Sequence, residues 1–259
     1  MTPSRIHPAA IIAHDAEIAS DVEIGAFAIV GEGCVIGAGS VIAARATLER
    51  NVTLGRSVKV GIGTVLGGAP QDLKYAGEET TVEIGDGTVI REYATINRGT
   101  AHSFKTTVGT NCLIMSYAHI GHDCRIGNSV ILSNVVQLAG HVTIEDKAIL
   151  SGLSAVHQFT RVGRQSFIGG MSRVSKDIPP FLKAVGNPVK LYGLNTIGLQ
   201  RGGMDEETIR ELKRVYRLLF RSDLNVTQAI ERALTEIEPL PEVKELIRFV
   251  EGSERGVVI

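Results

Sequence analysis

Two histidines and an aspartate lie close together in the stretch 118–124, at His119, His122 and Asp123. An unperturbed imidazole changes charge near neutral pH, so histidine is well suited to take a proton from a hydroxyl group. A carboxylate beside the imidazole can fix its tautomer and stabilise its charged form. The stretch therefore predicts general-base chemistry, with His122 as the base and Asp123 as its partner.

The elements that must position these residues follow a six-residue repeat. An aliphatic residue recurs with this period from Ile6 to Leu66 and again, in the same phase, from Val108 to Val174. A small residue stands four positions after each of the first ten aliphatic residues. A period of six fits neither an α-helix nor a coiled coil but is the signature of a parallel β-helix, with three hexads in each coil. The fold class is therefore predicted to be mainly β.

The repeat and its interruptions divide the chain. Residues 1–186 are predicted to form the β-helix, with loops ejected from it at about 67–83 and 99–107. Residues 187–259 are predicted to form a turn-rich linker and a small α-helical C-terminal domain. Three helices are expected in this part of the chain, beginning near Asp205, Asn225 and Pro241.

Composition and charge exclude several classes of function. The net charge is −1 and the pI is near 6.7, so neither nucleic acid nor a membrane surface is an expected partner. No apolar run is long enough for a membrane-spanning segment and no signal peptide is evident, which predicts a cytoplasmic protein. The three cysteines all occupy the small, inward position of the hexad and are expected to be buried thiols: Cys34, Cys112 and Cys124.

The repeat places the histidines of successive coils side by side. With three hexads to a coil, His122, Gly140 and Gln158 stack vertically, and His141 and His157 lie beside them. Gly140 has no side chain and can offer its backbone N–H to a developing oxyanion. No activated serine or cysteine stands in this ladder, so direct acyl transfer to a hydroxyl is favoured over a covalent acyl-enzyme.

A metal site competes with this interpretation, because clustered imidazoles are common zinc ligands. Against it, the histidines climb about 10 Å over two coils, and no thiolate or second carboxylate completes a compact ligand set. We therefore expect no metal and no cofactor.

Four runs resemble one enzyme family. They are 71–78 (QDLKYAGE), 118–124 (AHIGHDC), 138–142 (LAGHV) and 155–159 (AVHQF). On these motifs the chain resembles the acyl-(acyl-carrier-protein)–UDP-N-acetylglucosamine O-acyltransferases. The resemblance covers essentially the whole chain and implies a left-handed β-helix. It also implies a homotrimer that transfers an (R)-3-hydroxyacyl chain from acyl carrier protein to the glucosamine 3-hydroxyl, the first step of lipid A synthesis.

The resemblance also implies roles for individual residues. His122 would be the base, Asp123 its partner and Gly140 the oxyanion donor. Two residues of the first ejected loop would contact the sugar nucleotide: Asp72 and Lys74. The sugar and acyl pockets would be lined by His119, His141, His157 and Gln158. The uridine diphosphate would be held by Asn195 and Arg201, the second of which suits bidentate phosphate contact.

Some positions depart from the family pattern. Asn97 stands where many members have histidine, and Ile197 and Gly202 stand where many have an acid and a second arginine. An amide in place of an imidazole near the sugar suggests the hypothesis that a 3-amino analogue of the acceptor is used as well as, or instead of, the 3-hydroxy one. The changes at Ile197 and Gly202 imply that some of the contacts with the nucleotide differ from those in other members.

The acyl groove and the donor contacts are less defined by the sequence. Gly170 matches a position where a small residue leaves room for a long acyl chain, and Met171 beside it would shorten the groove if it turned inward. A basic patch is expected to face the acidic carrier protein, and the candidates are Arg161, Arg164, Arg173 and Lys176. A solvated charged rim explains these four residues equally well.

Three other functions compete with this assignment. An N-acyltransferase acting later in lipid A synthesis usually carries an extra domain before its hexads, whereas the hexads here begin at Ile6. An acetyl-CoA-dependent hexapeptide transferase would not need the motif at 71–78 or the region around Arg201. A non-catalytic β-helical scaffold would retain the repeat and tolerate loss of His122.

Overall fold

The computed structural model describes residues 4–259, which form a three-faced parallel β-helix followed by four helices. Ile120 pairs with Leu138 and Leu138 pairs with Val156, so each coil of this region contains 18 residues. The left-handed β-helix and the mainly β fold class expected above are confirmed.

Each face of the β-helix is a sheet of short strands. The first face contains Arg5–Ile6, Glu23–Ile24, Val41–Ile42, Lys59–Val60, Val89–Ile90, Leu113–Ile114, Ile131–Leu132, Ile149–Leu150, Phe167–Ile168, Leu182–Val185 and Lys190–Leu194. The second face contains Ile11–Ile12, Ile29–Val30, Thr47–Leu48, Val65–Gly68, Thr95–Asn97, His119–Ile120, Gln137–Leu138, Ala155–Val156 and Arg173–Val174. The third face contains Glu17–Ile18, Val35–Ile36, Val52–Leu54, Thr81–Ile84, Lys105–Val108, Arg125–Ile126, Thr143–Ile144 and Arg161–Val162.

The core is a stack of aliphatic side chains inside the β-helix. From Ile24 onward, the hexad residues that point inward are almost fully buried, as are the three cysteines, which are free thiols. Burial raises the pKa of the Cys124 thiol to about 12, so this sulfur stays protonated and unreactive near neutral pH. The expected role of the cysteines as small apolar core residues is confirmed.

The first irregular segment (69–80) and the second irregular segment (98–104) are shorter than the predicted loops 67–83 and 99–107. The second-face strand Val65–Gly68 continues to Gly68, and the third-face strand Thr81–Ile84 starts earlier than expected. The second segment likewise ends before the strand Lys105–Val108. Thr81–Ile84 pairs with strands on both sides. Its backbone N–H and C=O groups therefore form hydrogen bonds within the sheet, whereas those of an exposed loop would bind water.

The C-terminal part begins with a hairpin on the β-helix. Strand Leu182–Val185 continues the first face in parallel, and Lys190–Leu194 pairs with it antiparallel. The predicted boundary at residue 186 lies in the turn between these strands, so the division into domains 1–186 and 187–259 remains a prediction.

Four helices follow the hairpin: α1 (Thr196–Arg201), α2 (Glu206–Arg221), α3 (Val226–Glu236) and α4 (Pro241–Glu251). The predicted starts of α2, α3 and α4 are confirmed, because Asp205 and Asn225 cap α2 and α3 and Pro241 opens α4. No helix among residues 4–259 is long and apolar enough to cross a membrane.

Candidate active site

The candidate site is built on one corner of the β-helix, where successive coils turn between the second and third faces. Asp123, His141 and Phe159 occupy equivalent positions there, with φ angles of 60°, 62° and 60°. Many other corners also have a non-glycine residue in this left-handed region, so the conformation belongs to the fold rather than marking a site. Its consequence here is that three side chains from three coils share one corner.

His122 and Asp123 form a close pair at this corner. His122 Nδ1 lies 2.8 Å from Asp123 Oδ2. The Asp123 side chain is 0% exposed and the His122 side chain is 12% exposed. The sequence predicted this pair, and the structure places the two side chains as a hydrogen-bonded dyad.

The second irregular segment holds the Asp123 carboxylate. Thr100 donates to it from its backbone N–H (3.0 Å) and its hydroxyl (2.8 Å), and Ser103 donates from its backbone N–H (3.2 Å) and its hydroxyl (2.5 Å). Burial opposes ionisation, but the hydrogen bonds from Ser103, His122 and Thr100 outweigh it and lower the pKa of Asp123 to about 2. An ionised carboxylate only accepts hydrogen bonds, so the His122 proton lies on Nδ1 and the Nε2 lone pair is free.

Replacing Thr100 with valine is expected to lower kcat about tenfold, because the carboxylate loses one charge-assisted hydrogen bond, which contributes about 1.5 kcal/mol. Thr107→Val is the matched control, since Thr107 lies on the strand Lys105–Val108 and lines a cavity of the third face that does not include Asp123. Steady-state assays of both variants measure the effect. Equal kcat values for wild type and Thr100→Val would contradict this role of the threonine.

Gly140 lies one coil above His122 and against its ring. A Cβ added to Gly140 would lie 2.4 Å from His122 Cε1 and 2.5 Å from Nε2. Among residues 4–259, no acceptor takes a hydrogen bond from the Gly140 N–H. His122 Nε2 and the Gly140 N–H, neither of which has a hydrogen-bond partner among residues 4–259, therefore lie on adjacent coils at the same corner.

His119 and His141 flank the dyad. His119 Nδ1 lies 2.8 Å from the Thr95 hydroxyl, and the His141 ring stacks on Phe159 with centroids 4.2 Å apart. Burial lowers the pKa of both imidazoles, and the nearby His122 lowers both further, although Asp123 acts against this at His141. Both side chains are thus neutral at neutral pH and present polar atoms without adding charge.

These depressed pKa values predict a loss of stability in mild acid. The unfolded state binds protons first, so His119 and His141 each reduce the free energy of unfolding as the pH falls from 6.5 toward their lower folded-state pKa values. The thermal unfolding midpoint should therefore fall between pH 7.5 and 5.5, and by less in His141→Asn than in wild type. An equal fall in both proteins would contradict the prediction.

The first irregular segment meets this corner. Asp72 and Lys74 line a cavity of about 290 Å³ together with His102, His141 and Phe159. The predicted sugar-contact residues Asp72 and Lys74 are thus brought beside His141 within one chain. His102 was missed by the sequence interpretation; its ring packs edge-on against His141, with centroids 4.6 Å apart. It lies outside the hexads, so the repeat gave no signal for it.

His157 and Gln158 lie exposed on the coil above Gly140. The structure adds a contact that the sequence did not suggest, because Arg255 from the C-terminal tail places Nη2 2.7 Å from His157 Nδ1. Gly170 is exposed on the corner beside Met171, whose side chain is also strongly exposed. In the single chain Met171 therefore points away from the core.

Asn97 is buried at the base of the first irregular segment. Its Nδ2 donates to the Ala69 carbonyl (3.0 Å), whereas its Oδ1 has no hydrogen-bond donor within residues 4–259. A buried oxygen without a donor is costly, so a group that donates to Asn97 Oδ1 would be stabilised there.

Asn195 and Arg201 lie in a different place from the dyad. Asn195 caps α1, accepting from the Gly198 N–H and donating to the Gln165 carbonyl. Arg201 lines a cavity of about 460 Å³ beside Phe167 and Tyr192, on the first face. The structure therefore does not bring these predicted nucleotide contacts together with the dyad in one chain.

A metal ion could be held only by a small group among the described residues. His122, Asp123 and His141 offer ligand atoms within 4.8 Å of one another. Both oxygens of Asp123 already accept hydrogen bonds, however. The donors on Asp123 favour a fixed charge partner for His122 over a metal ligand.

Two arginines of the basic patch expected to bind the carrier protein instead form ion pairs within the chain. Arg161 pairs with Glu145 at 3.0 Å and stacks over the Phe249 ring. Arg164 makes a two-pronged ion pair with Glu245 of α4. These contacts fix α4 to the β-helix and leave Arg173 and Lys176 as the remaining members of the patch.

Comparisons with known proteins show the family to which the chain belongs. The family model described as UDP N-acetylglucosamine O-acyltransferase, domain 2, matches residues 177–258, and the bacterial transferase hexapeptide model matches 105–140. A relative from Anaeromyxobacter dehalogenans, named acyl-(acyl-carrier-protein)–UDP-N-acetylglucosamine O-acyltransferase, is 48% identical over 192 residues, covering 74% of this chain and 75% of the relative. The chain belongs to this O-acyltransferase family. It is an acyltransferase, and the resemblance noted from its motifs is confirmed.

Solved structures of this O-acyltransferase family extend the match to nearly the whole chain. The enzyme from Bacteroides fragilis superposes with a TM-score of 0.96 at 39% identity, covering 98% of this chain and 99% of that one. The enzyme from Acinetobacter baumannii gives 0.95 at 41% identity, with the same coverage of both chains.

Proposed function

We propose that this O-acyltransferase moves an (R)-3-hydroxyacyl chain from acyl carrier protein to the 3-hydroxyl of UDP-N-acetylglucosamine, the first step of lipid A synthesis. The observation that carries the proposal is the His122–Asp123 dyad, whose free Nε2 faces Gly140. The relatives bearing this activity in their names support the choice of both substrates.

In this mechanism the acyl chain passes directly from donor to acceptor. His122 Nε2 removes the proton from the sugar hydroxyl as its oxygen attacks the thioester carbonyl, and Asp123 stabilises the resulting imidazolium. The Gly140 N–H donates to the oxyanion of the tetrahedral intermediate. The collapse of the intermediate expels the thiolate, which takes the proton from His122. Cys124 plays no part, since its sulfur points inward and stays protonated.

Residues around the dyad are assigned to contacts with the sugar nucleotide and with the acyl chain. Asp72 and Lys74 contact the sugar nucleotide from the segment above the His141 cavity. His119, His141, His157 and Gln158 line the sugar and acyl pockets, and Gly170 leaves room for the acyl chain. Asn195 and Arg201 hold the uridine diphosphate.

The separation of Arg201 from the dyad supports a homotrimer. Arg201 and His141 line different cavities of one chain, so a neighbouring chain is needed to bring both to one substrate. A row of exposed apolar side chains along another corner gives such a neighbour a surface to pack on: Tyr93, Tyr117, Leu153 and Met171. The cytoplasm is the proposed location, and the three free cysteines suit a reducing compartment.

One assay tests the proposal. The purified protein is supplied with UDP-N-acetylglucosamine and (R)-3-hydroxyacyl carrier protein of graded chain length, with acetyl-CoA as the alternative donor. We expect a 3-O-acyl product from the carrier-protein thioesters only. Product from acetyl-CoA alone would indicate a different hexapeptide transferase, and no product from any donor would favour a non-catalytic scaffold.

The buried Asn97 oxygen favours a second acceptor, the 3-amino analogue. A 3-hydroxyl has one proton and gives it to His122, whereas an unprotonated 3-amine has a second N–H that can donate to Asn97 Oδ1.

Asn97→Leu is therefore expected to lower the ratio of 3-amino to 3-hydroxy turnover about tenfold, because leucine has no acceptor for the second N–H. Competition between the two sugar nucleotides, followed by mass spectrometry, measures this ratio in wild type and variant. A wild type that strongly prefers the 3-hydroxy acceptor would exclude the second candidate.

A further inference from the structure

Arg98 is the first residue of the second irregular segment, and its side chain contacts the first irregular segment. Its side chain is only 7% exposed, and the nearest carboxylate, that of Glu49, is 3.9 Å away. Burying a guanidinium is costly unless its N–H groups are satisfied. The groups that satisfy it therefore show what Arg98 does.

Those groups belong to the first irregular segment and to the strand Val65–Gly68 that leads into it. Arg98 Nη1 donates to the Gly67 carbonyl and Nη2 lies 3.2 Å from the Tyr75 hydroxyl. The Tyr75 hydroxyl in turn donates its one proton to the Glu78 carbonyl (3.0 Å), so it must accept from Arg98. The Arg98 backbone N–H also donates to the Gly68 carbonyl (2.9 Å). Arg98 thus holds both the end of the strand Val65–Gly68 and the middle of the first irregular segment.

The segment has few other connections to the β-helix. Within the described residues 4–259, the Arg98–Tyr75 contact is the one hydrogen bond that joins residues 70–78 to the rest of the chain. Leu73, between Asp72 and Lys74, is fully exposed and makes no packing contribution that would fix the segment. The position of Asp72 and Lys74 beside His141 therefore depends on Arg98.

The same stretch of backbone reaches the dyad. Thr100, two residues after Arg98, donates to Asp123 through both its N–H and its hydroxyl. We infer that Arg98 is a positioning residue that fixes residues 70–78 relative to the dyad, so that Asp72 and Lys74 meet the sugar nucleotide. This inference rests on the proposed function for its substrate, although the contacts that carry it do not.

The test compares Arg98→Lys with Arg50→Lys. Lysine keeps the charge at position 98, but its single ammonium cannot span both the Gly67 carbonyl and the Tyr75 hydroxyl. Arg50 pairs with Glu79 of the same segment at an exposed site, where such pairs contribute little. Arg98→Lys is expected to raise the KM for UDP-N-acetylglucosamine about ten- to a hundredfold. The KM for the acyl carrier protein thioester should change little, and Arg50→Lys should match wild type.

Hydrogen exchange gives a second measurement that needs no substrate. Amides of residues 70–78 should exchange faster in Arg98→Lys, with those of residues 119–141 unchanged. Unaltered exchange at 70–78, or KM values for both substrates that rise together with a general loss of thermal stability, would overturn the inference. If the wild type fails to acylate the sugar nucleotide, the proposed function fails, and the exchange measurement still decides the role of Arg98. Tyr75→Phe, which removes both the acceptor for Arg98 and the donor to the Glu78 carbonyl, should change exchange in the same direction.

Discussion

Replacing His122 with alanine is expected to reduce kcat by about 10²–10⁴-fold, because the reaction loses its general base. The structure leaves no substitute at this position. His141 is neutral and close, but its Nδ1 lies 3.7 Å from Asp123 Oδ2, too far for a hydrogen bond that would polarise the ring. Single-turnover assays with acyl carrier protein thioester and sugar nucleotide measure the loss.

His14→Ala is the matched control for this variant, since His14 is an exposed histidine that follows the first strand of the second face, whereas His122 follows the sixth. It should retain the wild-type rate. A His122→Ala protein that is folded and turns over at the rate of His14→Ala would refute the base assignment and favour the scaffold interpretation.

Gly140→Ala is expected to lower kcat about a hundredfold, through crowding rather than loss of a functional group. The new methyl group would lie 2.4–2.5 Å from the His122 ring, closer than any tolerable contact. The imidazole must then move, and a displacement of about 1 Å in a catalytic group costs on the order of 10²-fold in rate. Steady-state kinetics, with binding of the sugar nucleotide measured by calorimetry, separate a rate effect from an affinity effect.

Gly152→Ala controls for a methyl group added elsewhere on the β-helix. Its nearest neighbour would be the Asn134 carbonyl at 3.2 Å, a contact that a small shift relieves. We expect wild-type kcat in this variant. Similar kinetics for Gly140→Ala and wild type would mean that His122 Nε2 does not act from its present position.

The regular part of the site was predictable because the hexad period fixes the register. The pairing of Ile120 with Leu138 and of Leu138 with Val156 places His122 under Gly140 with no further information. The same register located His141 and His157. It also explained the cysteines, since the phase of the repeat alone distinguishes an inward residue from one at a corner.

What the sequence did not predict lies where the chain leaves the hexads. The hydrogen bonds from Thr100 and Ser103 to Asp123 depend on the path of an irregular segment, and no period describes such a path. The Arg164–Glu245 ion pair joins residues far apart in sequence, so no local pattern indicated it. The capping role of Asn195 was missed because α1 is too short to show a helical period.

The return of the C-terminal tail to the end of the β-helix bears on when the enzyme becomes complete during synthesis. Asp177 pairs with Val257, its backbone N–H donates to the Gly256 carbonyl, and Ser253 donates to its carboxylate. Arg255 reaches His157 from the same tail. The coils can wind one upon another as they leave the ribosome, but the last one is closed by residues that follow all four helices in the chain. A nascent chain thus completes the corner that carries His157 only after α1 to α4 have been synthesised.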